Sequence, residues 1–184
     1  MAQLPTRSLT DGEKSLLRPI FEITLPLEVM QVSRNDMEWG GADNSITPGD
    51  TPFMAKTAWS TDYAYGSSAS DEDRGNFIHE CVHVWQYYHG ITKLSAVKLF
   101  IWYRGDYYPE AYKYDLKDND DFTDYNMEQM AAIIEDWWRI LNHLSPEFNV
   151  GGDRSLDRYN HFVDQMRGVG MPVKPHIPTM RFRH

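Results

Sequence analysis

Two histidines and a glutamate stand at metal-binding spacing near the middle of this 184-residue chain, in the run His79-Glu80-Cys81-Val82-His83. On a helix, side chains four residues apart project from adjacent turns of one face, so both imidazoles can bind a single Zn²⁺. Glu80 lies beside them, where it can accept a proton from a water on the metal. The pattern predicts the core of a zinc hydrolase. The alternative is that both histidines are helix-face residues hydrogen-bonded to their neighbours.

The flanking residues predict that this run lies within a helix from about Asp71 to His89. Ser70 precedes three consecutive acidic residues, which is typical of an N-cap followed by a first turn that complements the helix dipole. Gly90 stands where a left-handed C-terminal cap is expected.

The predicted helix has an apolar flank next to its histidine face. Ile78, Val82 and Trp85 form this flank, so the helix can pack in a core while its ligand face opens onto a cleft. Cys81 points away from His79 on the same helical wheel and is expected to be a small core residue rather than a third ligand.

A third protein ligand must therefore come from another segment, since tetrahedral catalytic zinc uses three protein ligands and a water. Residues 125–144 predict a second helix, because apolar residues recur there at steps of three and four. These residues are Met127, Met130, Ile134, Trp137, Leu141 and Leu144. Glu128 falls at the edge of that stripe beside the small Ala131 and Ala132, where two helices can approach closely, and it is the best candidate ligand. The alternative for Glu128 is a solvated boundary residue, and that is the interpretation we adopt for Glu135, two turns further on.

Several runs of the sequence resemble the vgr-related zincin-like proteins encoded with bacterial type VI secretion systems. Members of that family typically carry an H-E-x-x-H-V-W-Q helix and a later Y-N-x-E-Q helix. The matching segments are Phe77 to Tyr87, Gly90, Tyr112 to Leu116, Tyr125 to Ala131, and Leu9 to Glu13 at the start. The resemblance extends to about Leu144 and implies a gluzincin-type site with His79, His83 and Glu128 as ligands and Glu80 as general base.

Composition is consistent with one domain over residues 1–184, in which residues 145–184 form a less regular extension ending in an extended proline-containing tail. Hydrophobic residues make up 41% of the chain, enough to bury a sizeable core. The net charge of −9 argues against binding to nucleic acid or to an anionic membrane. A single cysteine excludes an internal disulfide. The first residues lack the apolar core of a signal peptide, so we expect synthesis in the cytoplasm and any export to depend on a specialised secretion machine.

The remaining segments give weaker expectations. Thr10 and Glu13 form a capping-box pattern that opens a first helix. Residues 27–34 and 52–59 are interpreted as strands, and Phe53 to Trp59 is either an edge strand that pairs with substrate or an ordinary sheet strand. Aromatic residues between Trp102 and Tyr114 line a cleft or pack in the core, with core packing the default. Tyr125 is a candidate donor to the oxyanion of the reaction.

These observations together predict an α+β, zincin-like domain in which a small twisted sheet packs on the metal helix and a second helix supplies Glu128. The expected cofactor is Zn²⁺, and the expected activity is hydrolysis of peptide bonds in proteins or peptidoglycan stem peptides. Our first hypothesis is a peptidase effector, or toxin, of the secretion system, and its expected partners are a secretion spike protein and an immunity protein. The alternative function is a zinc-stabilised adaptor of the secretion apparatus that catalyses nothing.

Overall fold

The computed structural model describes residues 5–36, 44–91, 109–118 and 120–168, and these ranges combine helices with a small sheet. The helices are α1 (Asp11–Phe21), α2 (Asp71–Tyr88), α3 (Met127–Leu141) and α4 (Leu156–Arg167), with a 3₁₀ turn at Phe122–Asp124. The strands are β1 (Thr6–Ser8), β2 (Gln31–Arg34) and β3 (Phe53–Met54). The mixed content is that of an α+β chain, while the zincin-like arrangement stays a prediction.

The two capping patterns that the sequence predicts at the starts of α1 and α2 are both formed. The Thr10 hydroxyl accepts from the backbone N–H of Glu13, whose carboxylate accepts from the N–H of Thr10. Ser70 and Asp73 make the equivalent pair at the start of α2. Because each box satisfies backbone donors that have no partner within the helix, the helix starts are defined by local sequence.

The predicted strands are shorter than expected. In the segment 27–34 only residues 31–34 are extended, because the N–H of Val29 turns back to the carbonyl of Pro26. In the segment 52–59 only Phe53 and Met54 are extended, since the N–H of Ala58 bonds to the carbonyl of Ala55. The sheet has the order β1-β2-β3, with β1 antiparallel and β3 parallel to β2.

The expectation that Phe53 to Trp59 offers a free edge for substrate is wrong at Phe53. Its backbone N–H and carbonyl both pair with Ile46, in an isolated antiparallel bridge. The segment after Asn44 therefore takes the edge position, and it also reaches α2, because the Asn76 amide donates to the Ser45 hydroxyl at 2.8 Å. This places Thr47 against α2.

The helices and the sheet contribute to one hydrophobic core in which α2 and α3 make the most extensive helix contact. Ile78, Val82 and Trp85 are buried as predicted, and Cys81 is a buried core residue. The stripe on α3 is shorter than predicted: Leu141 is 46% exposed, because the helix ends there and His143 then takes a left-handed backbone conformation with φ 62°.

The C-terminal segment is more regular than the sequence suggested. Residues 156–167 form α4, which packs against α3 and α1 through Tyr159, Phe162, Val163 and Met166. The prediction of an extended proline-containing tail falls on residues outside the described ranges, as do the aromatic positions from Trp102 to Tyr108. Within the described part of the chain, no helix is both long and apolar enough to cross a membrane.

Asp136 on α3 anchors the loop that follows the helix. Its fully buried carboxylate accepts from the Tyr114 hydroxyl at 2.7 Å and from the backbone N–H groups of Glu147, Phe148 and Asn149. Removing this carboxylate would leave four buried donors, three of them in the loop backbone, without their acceptor. Phe148 is thereby held close to His79.

Replacing Asp136 by alanine should lower the free energy of unfolding by about 3 kcal/mol or more, since several buried donors lose their acceptor. Chemical denaturation measures this change. The exposed Asp50 is a suitable control, and Asp50→Ala should change stability by less than about 0.5 kcal/mol. Equal effects of the two substitutions would contradict the anchoring role.

Candidate metal centre

Helix α2 presents His79 and His83 on one face, as the four-residue spacing predicts. The two imidazole ring centroids are 4.9 Å apart, and the rings meet edge to face at 78°. Both side chains are almost completely buried, with relative exposures of 4% and 6%. The helix holds this position through its Ser70 cap at one end and Gly90, at φ +97°, just beyond the other.

Helix α3 brings Glu128 to the same point, which confirms that this residue is buried and not at a solvated boundary. Its Oε2 lies 3.3 Å from Nε2 of His79 and 3.1 Å from Nε2 of His83. Asn126 fixes the start of α3 by accepting from the backbone N–H groups of Glu128 and Gln129. Ala131 and Ala132, which follow by one turn, are fully buried, in agreement with the close helix approach expected from their size.

Gln86 determines which nitrogen of His83 carries a proton. Its amide Nε2 donates to the backbone carbonyl of Met127 at 2.8 Å, and a carbonyl can only accept. The amide oxygen of Gln86 therefore faces Nδ1 of His83, at 2.9 Å, and must accept from it. In the neutral imidazole this leaves the lone pair on Nε2, directed towards Glu128.

Glu135 lies on the other side of His79, in contrast to the solvated position expected from the sequence. The residue is 4% exposed, and its Oε2 is 3.2 Å from Nδ1 of His79. Glu135 follows Glu128 by seven positions, so both lie on one face of α3, about 10 Å apart along its axis. The imidazole of His79 spans the space between these two carboxylates.

The charges of this cluster favour a bound cation. Burial by itself disfavours the imidazolium and lowers the pKa of His79, but Glu128 and Glu135 outweigh it and raise that pKa to about 10. Burial also raises the pKa of Glu128, but His83 and His79 outweigh it and hold the pKa of that carboxyl well below its usual range. Two imidazole nitrogens and a carboxylate oxygen therefore share a place that attracts a proton when no metal competes.

The donor set fits zinc. His79, His83 and Glu128 each offer one ligand atom, and these atoms lie within 4.8 Å of one another. Two imidazole nitrogens with one carboxylate oxygen are the ligands of many catalytic zinc sites, which keep a fourth position open. Gln86 accepts from Nδ1 of His83, an arrangement that directs Nε2 of that ring towards a metal, and the Glu135 carboxylate lies 3.2 Å from Nδ1 of His79.

Glu80 follows His79 on α2 and lies beside this cluster. Its carboxylate is buried, and its Oε2 accepts from the Thr47 hydroxyl at 2.6 Å. Burial raises the pKa of Glu80, although His83, His79 and the Thr47 hydrogen bond oppose the rise. Thr47 was not expected from the sequence, because it belongs to an irregular segment 33 residues before Glu80.

Aromatic side chains lie close to this cluster. The Tyr112 ring centroid is 5.4 Å from that of His79, and Phe148 stacks on Tyr112 at 5.6 Å. Tyr87, one turn after His83, is half-buried; burial and the negative charges of Glu128 and Glu80 raise its pKa. The sequence indicated Tyr112 within its aromatic stretch but gave no signal for Phe148 or Tyr87.

Tyr125 is directed elsewhere. Its hydroxyl donates to Oδ2 of Asp120 at 2.5 Å, and its ring packs against Tyr114 and Phe162. The side chain therefore contributes to packing among α3, α4 and the preceding loop. The role of Tyr125 as an oxyanion donor stays a prediction without support from these contacts.

Comparison with known proteins finds a relative in the type VI secretion apparatus. The chain is similar to part of the type VI secretion system spike protein VgrG2b of Pseudomonas aeruginosa, with 31% identity over 138 residues. The match covers 74% of this chain but only 13% of that spike protein. No protein-family model matches the chain, and no solved structure matches it. The similarity supports an association with type VI secretion and leaves the peptidase chemistry to be argued from the site.

The raised pKa of His79 predicts how the stability of metal-free protein depends on pH. Since the folded-state pKa is about 10 and the ordinary value is 6.5, the stabilisation is fully present below pH 6.5 and is lost as pH rises towards 10. Denaturation in the presence of a chelator at several pH values measures this loss. The loss should be smaller in His79→Gln, and identical pH dependence in the two proteins would contradict the assignment.

Proposed function

We propose that this chain is a zinc-dependent hydrolase of peptide bonds that acts as an effector of a type VI secretion system. The observation that carries the proposal is the convergence of His79, His83 and Glu128 on one buried point, with the Glu80 carboxylate beside it. A structural zinc site needs only ligands that enclose the ion. Hydrolysis also requires a general base, and the Glu80 carboxylate can fill that role.

Each side chain has a defined role in this proposal. His79, His83 and Glu128 would hold the zinc ion, which supplies an acidified water and a polarised carbonyl when bound. Glu80 would accept the proton from the attacking water while the carbon–oxygen bond forms. It would then return that proton to the amine as the carbon–nitrogen bond breaks. The buried position of Glu80, which raises its pKa above the ordinary value, suits a group that must both accept and release a proton.

Thr47 would orient Glu80 for this work. Its hydroxyl is within 2.6 Å of one carboxylate oxygen and within 3.2 Å of the Glu80 backbone carbonyl. The hydrogen bond restricts rotation of the carboxylate and leaves its second oxygen available to water. Tyr112 and Phe148 offer an apolar, aromatic surface beside His79 against which a substrate side chain could pack.

The similarity to a spike protein supports the cellular part of the proposal. The chain matches part of VgrG2b, and in this proposal a type VI secretion spike would deliver it. The substrate would be a protein or a peptidoglycan stem peptide of the target cell. The partners would be a spike protein for delivery and an immunity protein in the producing cell.

The same similarity favours a second candidate function, that of a non-catalytic part of the secretion apparatus. In this alternative the zinc ion would stabilise the fold, and Glu80 would have no chemical task. The two functions differ in what they require of α2, since both need His79 and His83 but only hydrolysis needs Glu80.

The Glu80→Gln variant separates these functions. It should retain zinc, because the ligands are unchanged, but should lose peptide hydrolysis by about 10²-fold to 10⁴-fold, because the general base is removed. Mass spectrometry of peptide libraries and purified stem peptides, incubated with the zinc-loaded chain, measures cleavage.

The Thr47→Val variant should lower the cleavage rate, because Glu80 loses the hydroxyl that orients it. Thr47→Ser preserves the hydroxyl and serves as the matched control.

The cellular phenotype of the variants shows which result would contradict the hydrolase proposal. If the zinc-loaded wild type cleaves none of these substrates, and Glu80→Gln retains the full cellular phenotype that His83→Ala loses, the hydrolase proposal fails. The apparatus function would then be the better account.

A further inference from the structure

We propose that Glu135 is the positioning residue of this metal centre, and that Gly75 is the residue that makes room for it. The proposal rests on the proposed zinc site and extends it to two residues that bind no metal themselves. Glu135 would orient the imidazole of His79 and fix its protonated nitrogen, so that Nε2 is already directed towards the ion when zinc arrives.

The contact between Glu135 and His79 is the first observation. Oε2 of Glu135 is 3.2 Å from Nδ1 of His79, while Nε2 of the same ring faces Glu128 at 3.3 Å. The Glu135 contact is an ion-pair contact without aligned hydrogen-bond geometry, and a carboxylate beside Nδ1 favours a proton on that nitrogen. When a metal ion replaces the proton on Nε2, the Nε2 lone pair is then directed towards the ion. For His83 the same task falls to Gln86, whose oxygen lies 2.9 Å from Nδ1.

The burial of Glu135 is the second observation. A carboxylate that is 4% exposed requires partners that offset its lost hydration. Besides His79, the described residues place the Arg139 guanidinium near Glu135: it lies one turn later on α3, with Nη1 3.9 Å from Oε1 of Glu135. Arg139 has closer partners elsewhere: its Nη1 lies 3.0 Å from Oε2 of Glu147, and its Nε donates to the Ser145 carbonyl. Arg139 is thus held mainly by the loop after α3, and His79 is the closer partner of Glu135.

The space left by Gly75 is the third observation, and it is independent of the polar contacts. Gly75 lies one turn before His79 on α2 and has no side chain to fill the gap between α2 and α3. A Cβ placed there would lie 2.8 Å from Oε1 of Glu135 and 3.4 Å from its Cδ and Cγ. The three nearest atoms all belong to Glu135, so a side chain at this position would displace the Glu135 carboxylate from its place beside His79.

A glycine in the interior of a helix is a local disadvantage, because it costs backbone entropy relative to alanine. Its presence inside α2 is explained if the helix must accommodate a carboxylate behind His79. Glu135 and Gly75 therefore form a pair in which one residue orients the ligand and the other leaves space for the orienting group.

Zinc affinity of the purified chain, measured by competition with a chromogenic chelator, tests this proposal without any substrate. Loss of a carboxylate that orients a zinc-bound histidine typically lowers metal affinity about 10-fold to 100-fold, and we expect this from Glu135→Ala. Glu135→Gln, which keeps an acceptor but not the charge, should have a smaller effect. The exposed Glu72 on α2 provides the control, and Glu72→Gln should leave affinity unchanged.

Gly75→Ala gives the sharper test, since it removes no polar group. It should lower zinc affinity in the wild-type background by displacing Glu135. In the Glu135→Ala background the same substitution should have no further effect on affinity, because the atoms it meets are gone, and should raise the melting temperature of the metal-free protein.

A spectroscopic readout distinguishes positioning from a general loss of fold. The visible absorption of the Co²⁺-substituted protein should change in Glu135→Gln, while the far-ultraviolet circular dichroism of the metal-free protein stays as in wild type. Unchanged zinc affinity in Glu135→Ala, or additive effects of the two substitutions, would overturn this proposal while leaving the zinc site intact. A wild-type chain that binds no zinc would instead overturn the proposed function on which it rests.

Discussion

Two imidazole nitrogens and a carboxylate oxygen face one another in a space from which water is largely excluded. Gln86 fixes the His83 tautomer, so Nε2 of neutral His83 faces the Glu128 carboxylate as an acceptor, and His79 brings a second nitrogen to the same carboxylate. Acceptors at about 3 Å repel each other unless a positive charge lies between them. A proton or a metal ion meets this need, and the proposed zinc chemistry depends on the metal replacing the proton.

The rest of the structure can be understood as the framework that holds this arrangement. Capped helix starts set the positions of α2 and α3, and the small buried Ala131 and Ala132 allow the helices to approach. The loop anchored by Asp136 places Phe148 near His79. The segment before β3 brings Thr47 to Glu80. Buried carboxylates are costly unless paired, and each of Glu80, Glu128 and Glu135 has a partner in this framework.

Local sequence predicted the elements that carry the ligands. The capping boxes and apolar periodicity of α1, α2 and α3 are short-range signals, and the spacing of His79 and His83 is a helical one. Glu128 was predictable because a third ligand was needed and because small residues beside it indicated a close helix contact. The strands were overestimated, since apolar residues at 27–34 and 52–59 also suit turns that bury their side chains.

The partners of the ligands could not be predicted in the same way. Glu135 lies at the edge of the apolar stripe of α3, and only the position of α2 decides whether such an edge is solvated or buried. Thr47 lies in an irregular segment whose path depends on the pairing of Ile46 with Phe53. Tyr125 is close to Glu128 in sequence, but its hydroxyl is directed towards Asp120. These contacts depend on tertiary packing, which periodicity does not encode.

The most direct test of this account is the zinc stoichiometry and affinity of the purified chain, measured by equilibrium competition with a chromogenic chelator. The account predicts one tightly bound Zn²⁺ per chain, with binding greatly weakened in Glu128→Ala and unchanged in Glu110→Ala, which alters an exposed carboxylate before α3. A wild-type chain without bound zinc, or a Glu128→Ala variant that binds it equally well, would contradict the central claim.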